Sequence, residues 1–457
     1  MPFTTLKLHP DLLRGIKDLG FQRPTPIQAD AIPPALEGKD LLACAETGSG
    51  KTAAFLLPIL NGLIHKRGPQ KTTRALIITP TRELAAQILE DLKDLTVHTP
   101  INGFSVFGGV SMGPQEHAFR SGVDVIVGTP GRLIDHFRQP YAKLSGLEYL
   151  VLDEADRMLD MGFLPDIRRI LRHIPAKRQT LFFSATMPEP IVKLSHEMLH
   201  NPAMINLERK AAPATGITHA IYPVAAHLKP ALLLALLNKG DVQQALVFTR
   251  TKHRADRLAK HLETHKINVA RIHGNRSMAQ RTEALQGFKK GRYRVLVATD
   301  IAARGIDVTA LGHVINFDVP AVPDDYIHRV GRTARAELTG TAFTLVAPED
   351  EGDVRNIERA INKRLPRVTI PEFDYQARAE QRLEVPHAQR IAEIRARKAD
   401  ERRRAKANIE RRARHAQQPQ AGSQGSQGPR PAGPRPHGHG PGPGPRRRFG
   451  SRRPNFR

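Results

Sequence analysis

The run Ala45-Glu46-Thr47-Gly48-Ser49-Gly50-Lys51-Thr52 sits between an apolar stretch, Leu41 to Cys44, and a second one, Ala53 to Leu60. That order predicts strand, glycine loop and helix. Backbone N–H groups of such a loop, with the positive end of the helix behind them, make a cradle for phosphate oxygens. In the P-loop pattern Lys51 reaches the β- and γ-phosphates and the hydroxyl of Thr52 ligates Mg²⁺. Thr47, Gly48, Ser49 and Gly50 are the candidates for the cradle itself. Ala45 stands where the strict pattern has glycine. A glycine turn that merely precedes a helix is the plain alternative, and Gly-Lys-Thr in register between elements of the right type weighs against it.

At 457 residues the chain exceeds one ordinary core, so two domains plus extra segments are expected. Lys and Arg number 70 against 45 Asp and Glu, a formal +25, which points to a polyanionic partner such as nucleic acid, with an anionic membrane surface as the weaker alternative. Cys44 is the single cysteine, so no internal disulfide and no four-cysteine zinc site can form, and its place on an apolar run predicts a small buried residue. The opening Met1-Pro2-Phe3-Thr4-Thr5 carries no basic-then-apolar signal, and no 18-residue apolar run is present. The expectation is a cytoplasmic protein with no membrane partner.

Short apolar runs at 41–44, 75–79, 104–107, 123–127, 149–152 and 180–183 alternate with helical patterns. Strands apolar on both faces and separated by helices predict an α/β fold with a mostly parallel sheet. This first domain is expected over 1–205. The polar, Pro-containing stretch Asn206 to Gly216 reads as a linker. The pattern resumes at 245–248, 269–272, 295–298, 313–317 and 341–346, which predicts a second α/β domain over 217–370. Residues 371–457 then form a basic Arg/Gly/Pro-rich extension, expected to be largely disordered. From 376 onward it holds 21 Lys and Arg against 6 Asp and Glu, so +15 of the chain's +25 lies here. It reads as an electrostatic arm, with a merely solubilising tail as the alternative.

A second phosphate-handling element is Asp153-Glu154-Ala155-Asp156, directly after the apolar run Leu147 to Leu152. Carboxylates at the C-terminal end of a strand sit on the edge where α/β sheets bind ligands. Asp153 would hold Mg²⁺ largely through water, and Glu154 can orient and deprotonate an attacking water. Adjacent acids at a strand end are also common helix caps, but the pairing with the Lys51 loop favours the catalytic reading.

Asp-Glu-Ala-Asp is the signature of the DEAD-box RNA helicases of superfamily 2, and the other motifs of that family follow in order over about residues 1–370. Phe21, Pro24-Thr25 and Ile27-Gln28 resemble the Q motif, in which the Gln reads adenine and the aromatic packs on its ring. Pro80-Thr81-Arg82-Glu83-Leu84-Ala85, Gly108-Gly109 and Thr129-Pro130-Gly131-Arg132 look like the RNA-backbone motifs of the first domain. Ser184-Ala185-Thr186 matches the coupling motif. In the second half, Val247-Phe248-Thr249-Arg250, His273-Gly274 with Gln280-Arg281, and the run from Thr299 and Asp300 through Arg304 to Asp307 are similar to the later motifs. His328-Arg329-Val330-Gly331-Arg332-Thr333-Ala334-Arg335 closes the set. Ala334 and Met278 depart from the family, at a usual Gly and at a polar position near RNA. Gly109-Val110-Ser111 with Pro114-Gln115, and Asp160-Met161-Gly162-Phe163, look most like the bacterial RhlE-type branch.

The resemblance implies two tandem RecA-like domains, ATP and Mg²⁺ as cofactors, and RNA-stimulated ATP hydrolysis that opens short duplexes. Arg332 and Arg335 are implied as arginine fingers and Asp307 as the ribose contact. Asp156, Ser184, Thr186, His328 and Arg329 are implied in coupling. Pro80, Thr81, Arg82, Gly108, Gly109, Thr129, Gly131, Arg132, Arg250, Arg281, Thr299 and Arg304 are implied at the RNA backbone, a contact that positions a strand without reading its sequence. The chain has no Trp and 5% aromatics, so base stacking is a minor resource. Structured mRNA, assembling ribosomal particles and an RNA-degradation complex are the expected settings. Two other readings stay open: an ATP-gated RNA clamp or annealing chaperone driven by the tail, and a DNA helicase of related fold.

Overall fold

The computed structural model describes residues 2–45, 48–65, 72–205, 216–303, 311–333 and 340–377. The first domain is one sheet of seven strands: β1 (Leu41–Cys44), β2 (Ala75–Ile78), β3 (Gly103–Val106), β4 (Val125–Gly128), β5 (Tyr149–Leu152), β6 (Gln179–Ser184) and β7 (Ala203–Ile205). Their spatial order is β3-β4-β2-β5-β6-β1-β7, and every pairing is parallel. The second sheet joins β8 (Ile217–Pro223), β9 (Ala245–Thr249), β10 (Val269–Ile272), β11 (Val295–Thr299), β12 (His313–Asn316) and β13 (Gly340–Val346) in the order β10-β11-β9-β12-β13-β8. It too is parallel throughout.

Strands buried on both faces send alternate side chains to two cores. Leu41 and Ala43 join the cluster around the helix Lys51–His65, whereas Leu42 faces the opposite layer with Leu76, Ile78 and Phe182. The helix Lys51–His65 is itself apolar nearly all round, with Phe55, Leu56 and Leu57 fully buried. It is clamped between the sheet and the helix Pro26–Leu36, and the Phe55 and Phe183 rings meet at 5.6 Å. The glycine loop is therefore fixed at both ends by packed elements. Because β1, β6 and β5 are neighbours, the loop after β1, the Ser184 end of β6 and the acids after β5 open on the same sheet edge.

Two strands carry no sequence signal of the expected kind. β7 has three residues and leaves Met204 at 59% exposure, so no apolar run marks it. β8 alternates Ile217, His219 and Ile221 inward, and its buried His219 is held by the Tyr326 hydroxyl at 2.9 Å. Cys44, expected to be buried, is half-buried: it ends β1 where the chain leaves the sheet, and its thiol donates to the Ala185 carbonyl at 3.1 Å.

Packed chain also continues past residue 370. Pro366 accepts from the Ile221 N–H and Val368 donates to the Ile221 carbonyl, at 2.7 and 2.8 Å, which covers the free edge of β8. Ile370, Phe373 and Tyr375 then pack on the core beneath Tyr222. The expected electrostatic arm, and the expected linker from Asn206 apart from Gly216, lie outside the described residues.

Candidate active site and nucleic-acid interface

Gly48 and Gly50 adopt φ of 83° and 94°, the left-handed region that glycine enters without strain. A Cβ on Gly50 would stand 2.5 Å from Gln28 Nε2, so a side chain there has no room. Gln28 Nε2 instead donates to the Gly50 carbonyl at 3.0 Å, while its Oε1 accepts from the Thr25 N–H at 2.9 Å. Gln28 thus ties the helix Pro26–Leu36 to the glycine loop. Glu46 and Thr47 lie outside the described residues.

A cavity of about 250 Å³ opens in front of this loop, lined by Phe21, Gln28, Lys51, Asp153, Glu154 and Arg332 among others. Phe21 is 45% exposed, an aromatic face standing at its rim. Lys51 is the first residue of its helix and is nearly buried, with Nζ 3.8 Å from Asp153 Oδ1. Neither atom has a hydrogen-bond partner among the described residues. Beyond that long ion pair, a buried ammonium and a buried carboxylate oxygen that face a cavity without hydrogen bonds carry a free-energy cost that a phosphate and a hydrated cation relieve. Two protein oxygens, from half-buried Thr52 and from Asp153, suit Mg²⁺, which keeps several waters and takes its remaining ligands from phosphate.

Glu154 is a non-glycine residue at φ 55°, the N-cap of the helix Ala155–Asp160. Its Oε2 accepts from Arg157 Nη1 at 2.8 Å, and both side chains are at most 4% exposed. Burial raises Asp153 above the usual carboxylate range against the pull of Lys51. Burial acts the same way on Glu154, but Arg157, then Lys51 and Arg332, hold it below that range. Asp156 is likewise held down, by Lys51, Arg157 and His328 against burial. Arg157 was not among the expected site residues. Its signal was the i,i+3 spacing from Glu154, which in sequence looks like an ordinary surface pair.

The first-lobe residues expected in coupling are bonded as a unit. Asp156 Oδ2 accepts from the Ala185 N–H, the Thr186 N–H and the Thr186 hydroxyl at 3.2, 2.9 and 3.0 Å. The Ser184 hydroxyl accepts from the Asp156 N–H at 3.1 Å and donates to the Thr186 carbonyl at 2.7 Å. In the second lobe Arg329 is buried and forks onto Asp300, with Nε–Oδ1 at 2.5 Å and Nη2–Oδ2 at 2.8 Å, while Nη1 reaches Asn316 and the Asp318 carbonyl. That fork fixes the helix Pro323–Val330, after which Arg332 enters the cavity beside Lys51. Arg304, Asp307, Ala334 and Arg335 lie outside the described residues.

The first-lobe RNA candidates gather at one place. Thr81 caps the helix Arg82–Leu95 by accepting from the Leu84 N–H, with buried Pro80 before it. A Cβ on Gly109 would lie 2.1 Å from Arg82 Nη1, and one on Gly108 would lie 3.6 Å from Arg82 Nη2 and 3.9 Å from Arg132 Nη2. Thr129 precedes the helix Pro130–Phe137, whose exposed Gly131 has open space beside it. The second-lobe candidates behave differently. Arg250 is engaged within its own lobe, by the Val319 carbonyl at 3.0 Å and by Asp353 at 3.6 Å. Thr299 is half-buried at the end of β11. Arg281, expected on the RNA, is buried, and its guanidinium meets Glu83 of the first lobe at 3.0 Å. Met278, one turn earlier, packs on the first lobe's core.

Two family models match the chain, DEAD/DEAH box helicase over residues 25–194 and helicase conserved C-terminal domain over 228–337. The DEAD-box ATP-dependent RNA helicase CshA of Geobacillus kaustophilus is 40% identical over 391 residues, covering 86% of this chain and 83% of its own. ATP-dependent RNA helicase CshA of Listeria monocytogenes is 41% identical, over 81% of this chain and 71% of its own. Among solved structures, S. cerevisiae Dbp5 bound to RNA and ADP BeF3 matches with a TM-score of 0.73 at 30% identity, over 80% of this chain and 95% of that one. Mss116p bound to ssRNA and AMP-PNP matches with a TM-score of 0.75 at 28% identity, over 82% and 80%. The ordered motifs, the two parallel sheets and these matches agree, and the chain belongs to the DEAD-box ATP-dependent RNA helicases.

Proposed function

We propose that the chain hydrolyses ATP when its two lobes close around nucleotide and RNA, and that closure opens short RNA duplexes locally. One observation carries this reading: Arg332 of the second lobe lines the same cavity as Lys51, Asp153 and Glu154 of the first. Phosphoryl transfer asks the protein for positioning and for positive charge on the developing oxyanion, and an arginine brought from across a cleft is worth about 10³ to 10⁵ in rate. Arg332 and Arg335 take that role. Lys51 and the amides of residues 47–50 hold the phosphates, and Glu154 orients the attacking water and accepts its proton. Thr52 and Asp153 would hold Mg²⁺, which when bound neutralises charge on the β- and γ-phosphates.

Phe21, Thr25 and Gln28 serve the adenine and Asp307 the ribose. Asp156, Ser184, Thr186, His328 and Arg329 transmit closure, an assignment supported by the bonds among the first three and by the nearness of His328 to Asp156. Arg82, Gly108, Gly109, Thr129, Gly131 and Arg132 grip the RNA backbone from the first lobe, with Arg250, Thr299 and Arg304 opposite. Nucleotide and RNA then favour one closed state, which is coupling through a two-state element.

The wording around Gly109 and Asp160 supports membership of the RhlE-type branch. A cytoplasmic setting in ribosome assembly or mRNA turnover fits a backbone reader of low sequence preference; among the described residues no helix is long and apolar enough to cross a membrane. Steady-state ATPase without nucleic acid, with structured RNA and with DNA of matched length tests the reading. Strong stimulation by RNA alone supports it, and equal stimulation by DNA overturns it.

A further inference from the structure

The pair Pro114-Gln115 has no part in the site as built so far, yet Gln115 is 2% exposed. It lies in the first turn of the helix Met112–Ser121, directly after the glycine loop. Its Nε2 donates to the Phe107 carbonyl at 3.3 Å and to the Ser111 carbonyl at 2.9 Å, one on each side of Gly108-Gly109-Val110. Its Oε1 faces His136 Nε2 at 3.4 Å. His136 is fully buried, and its Nδ1 lies 2.9 Å from the Tyr141 hydroxyl. Those partners define the tautomer: Nε2–H donates to Gln115, and Nδ1 accepts from Tyr141.

His136 belongs to the helix Pro130–Phe137, one turn after Arg132, so the two are neighbours along that helix. Arg132 Nη1 in turn donates to the Val110 carbonyl at 3.2 Å. The loop after β3 and the helix after β4 are therefore joined twice, once through Arg132 and once through the buried Gln115–His136 pair. We infer that Gln115, oriented by His136 and Tyr141, is a positioning residue for RNA: it closes the Gly108–Ser111 loop and sets its distance from the Arg132 helix.

Gln115 and His136 are buried too deeply to touch a strand themselves. Gly109 at φ 85° sits against Arg82, so a loop freed from Gln115 would carry its backbone away from both guanidiniums. The inference rests on the assignment of this loop and Arg132 to the RNA backbone.

The test uses the full chain and reads the RNA concentration that gives half-maximal ATPase, at several salt concentrations. Gln115→Met keeps the volume and deletes the hydrogen bonds; it should raise that concentration about tenfold. Turnover at saturating RNA and the ATP KM should stay at parent values. The salt slope should not change, because no phosphate contact is removed, whereas Arg132→Ala should lower the slope by about 1. Tyr141→Phe, which deletes one hydroxyl, should give a smaller change of the same kind. An unchanged RNA requirement for Gln115→Met overturns the inference, as does a parallel fall in ATP affinity, which would mean general damage to the lobe. If Arg132→Ala leaves RNA affinity and slope unchanged, the underlying assignment of the loop falls instead.

Discussion

Glu83 of the first lobe and Arg281 of the second form an ion pair at 3.0 Å between Oε1 and Nε, with both side chains less than a tenth exposed. Burial lifts the Glu83 carboxyl above its ordinary range, and Arg281 opposes that shift without cancelling it. Opening the lobes would return Glu83 to water and toward its ordinary 4.5. A raised acid favours the buried state below 4.5 and loses that contribution as pH rises through its raised value, so near neutrality Glu83 alone resists closure and Arg281 offsets it.

Removing one partner of a buried pair leaves an uncompensated charge and costs about 3–5 kcal/mol. Arg281→Ala should therefore weaken RNA-dependent ATPase, because the cost falls on the closed state and not on either lobe's own core. Glu83→Gln combined with Arg281→Gln should recover part of the loss. Melting of the nucleotide-free protein and the RNA dependence of turnover, measured together, distinguish this from a folding defect.

Lys51→Ala should abolish turnover through loss of nucleotide binding, and Glu154→Gln should keep ATP binding while stopping hydrolysis. Binding of a fluorescent nucleotide, read beside phosphate release, checks both. Near-parent hydrolysis by Glu154→Gln would remove the residue assigned as base.

Arg157 holds the Glu154 carboxylate that we propose as the base. Arg157→Gln should lower turnover and destabilise the first lobe, since it strands a buried Glu154. Arg157→Lys keeps the charge but not the planar fork, and should fall between the two. Thermal melts and kcat on the three proteins order them.

Five histidines, His136, His219, His261, His273 and His313, have pKa values pressed below the ordinary 6.5 chiefly by burial. The unfolded chain then binds more protons than the folded one below 6.5, so stability present above that pH is lost as pH falls through the folded values. Melting temperature should be lower near pH 5.5 than near pH 8. Replacing His219 with Gln should reduce the difference.

Removing residues 378–457 should leave RNA-stimulated ATPase in place while flattening the salt dependence of RNA binding, since 21 Lys and Arg no longer displace counterions. Loss of the main activity on truncation would favour the tail-driven chaperone. An unchanged slope would mean that the tail does not touch RNA.

Much of the fold was legible because parallel strands buried on both faces are written as apolar runs: Leu41 to Cys44 and Tyr149 to Leu152 became β1 and β5 without adjustment. β7 and β8 were not, since a three-residue edge strand and a strand with His219 in its inward row lack that pattern. That Lys51, Asp153 and Glu154 line one cavity was legible because all three stand just past strand ends on one edge of the sheet. Arg157 and Gln115 were hidden, as a charged or amide side chain in a first helical turn reads as solvated until the neighbouring strand shows that it is covered. Glu83 with Arg281 could not be read at all, because that pairing depends on how two distant segments meet.

The measurement closest to the central claim is turnover of Arg332→Ala at saturating ATP and RNA, beside its nucleotide affinity. The account predicts a fall of about 10³ or more in turnover with little change in affinity, because the arginine acts on charge that develops during transfer. Turnover close to that of the parent protein would contradict the claim that the second lobe completes the active site.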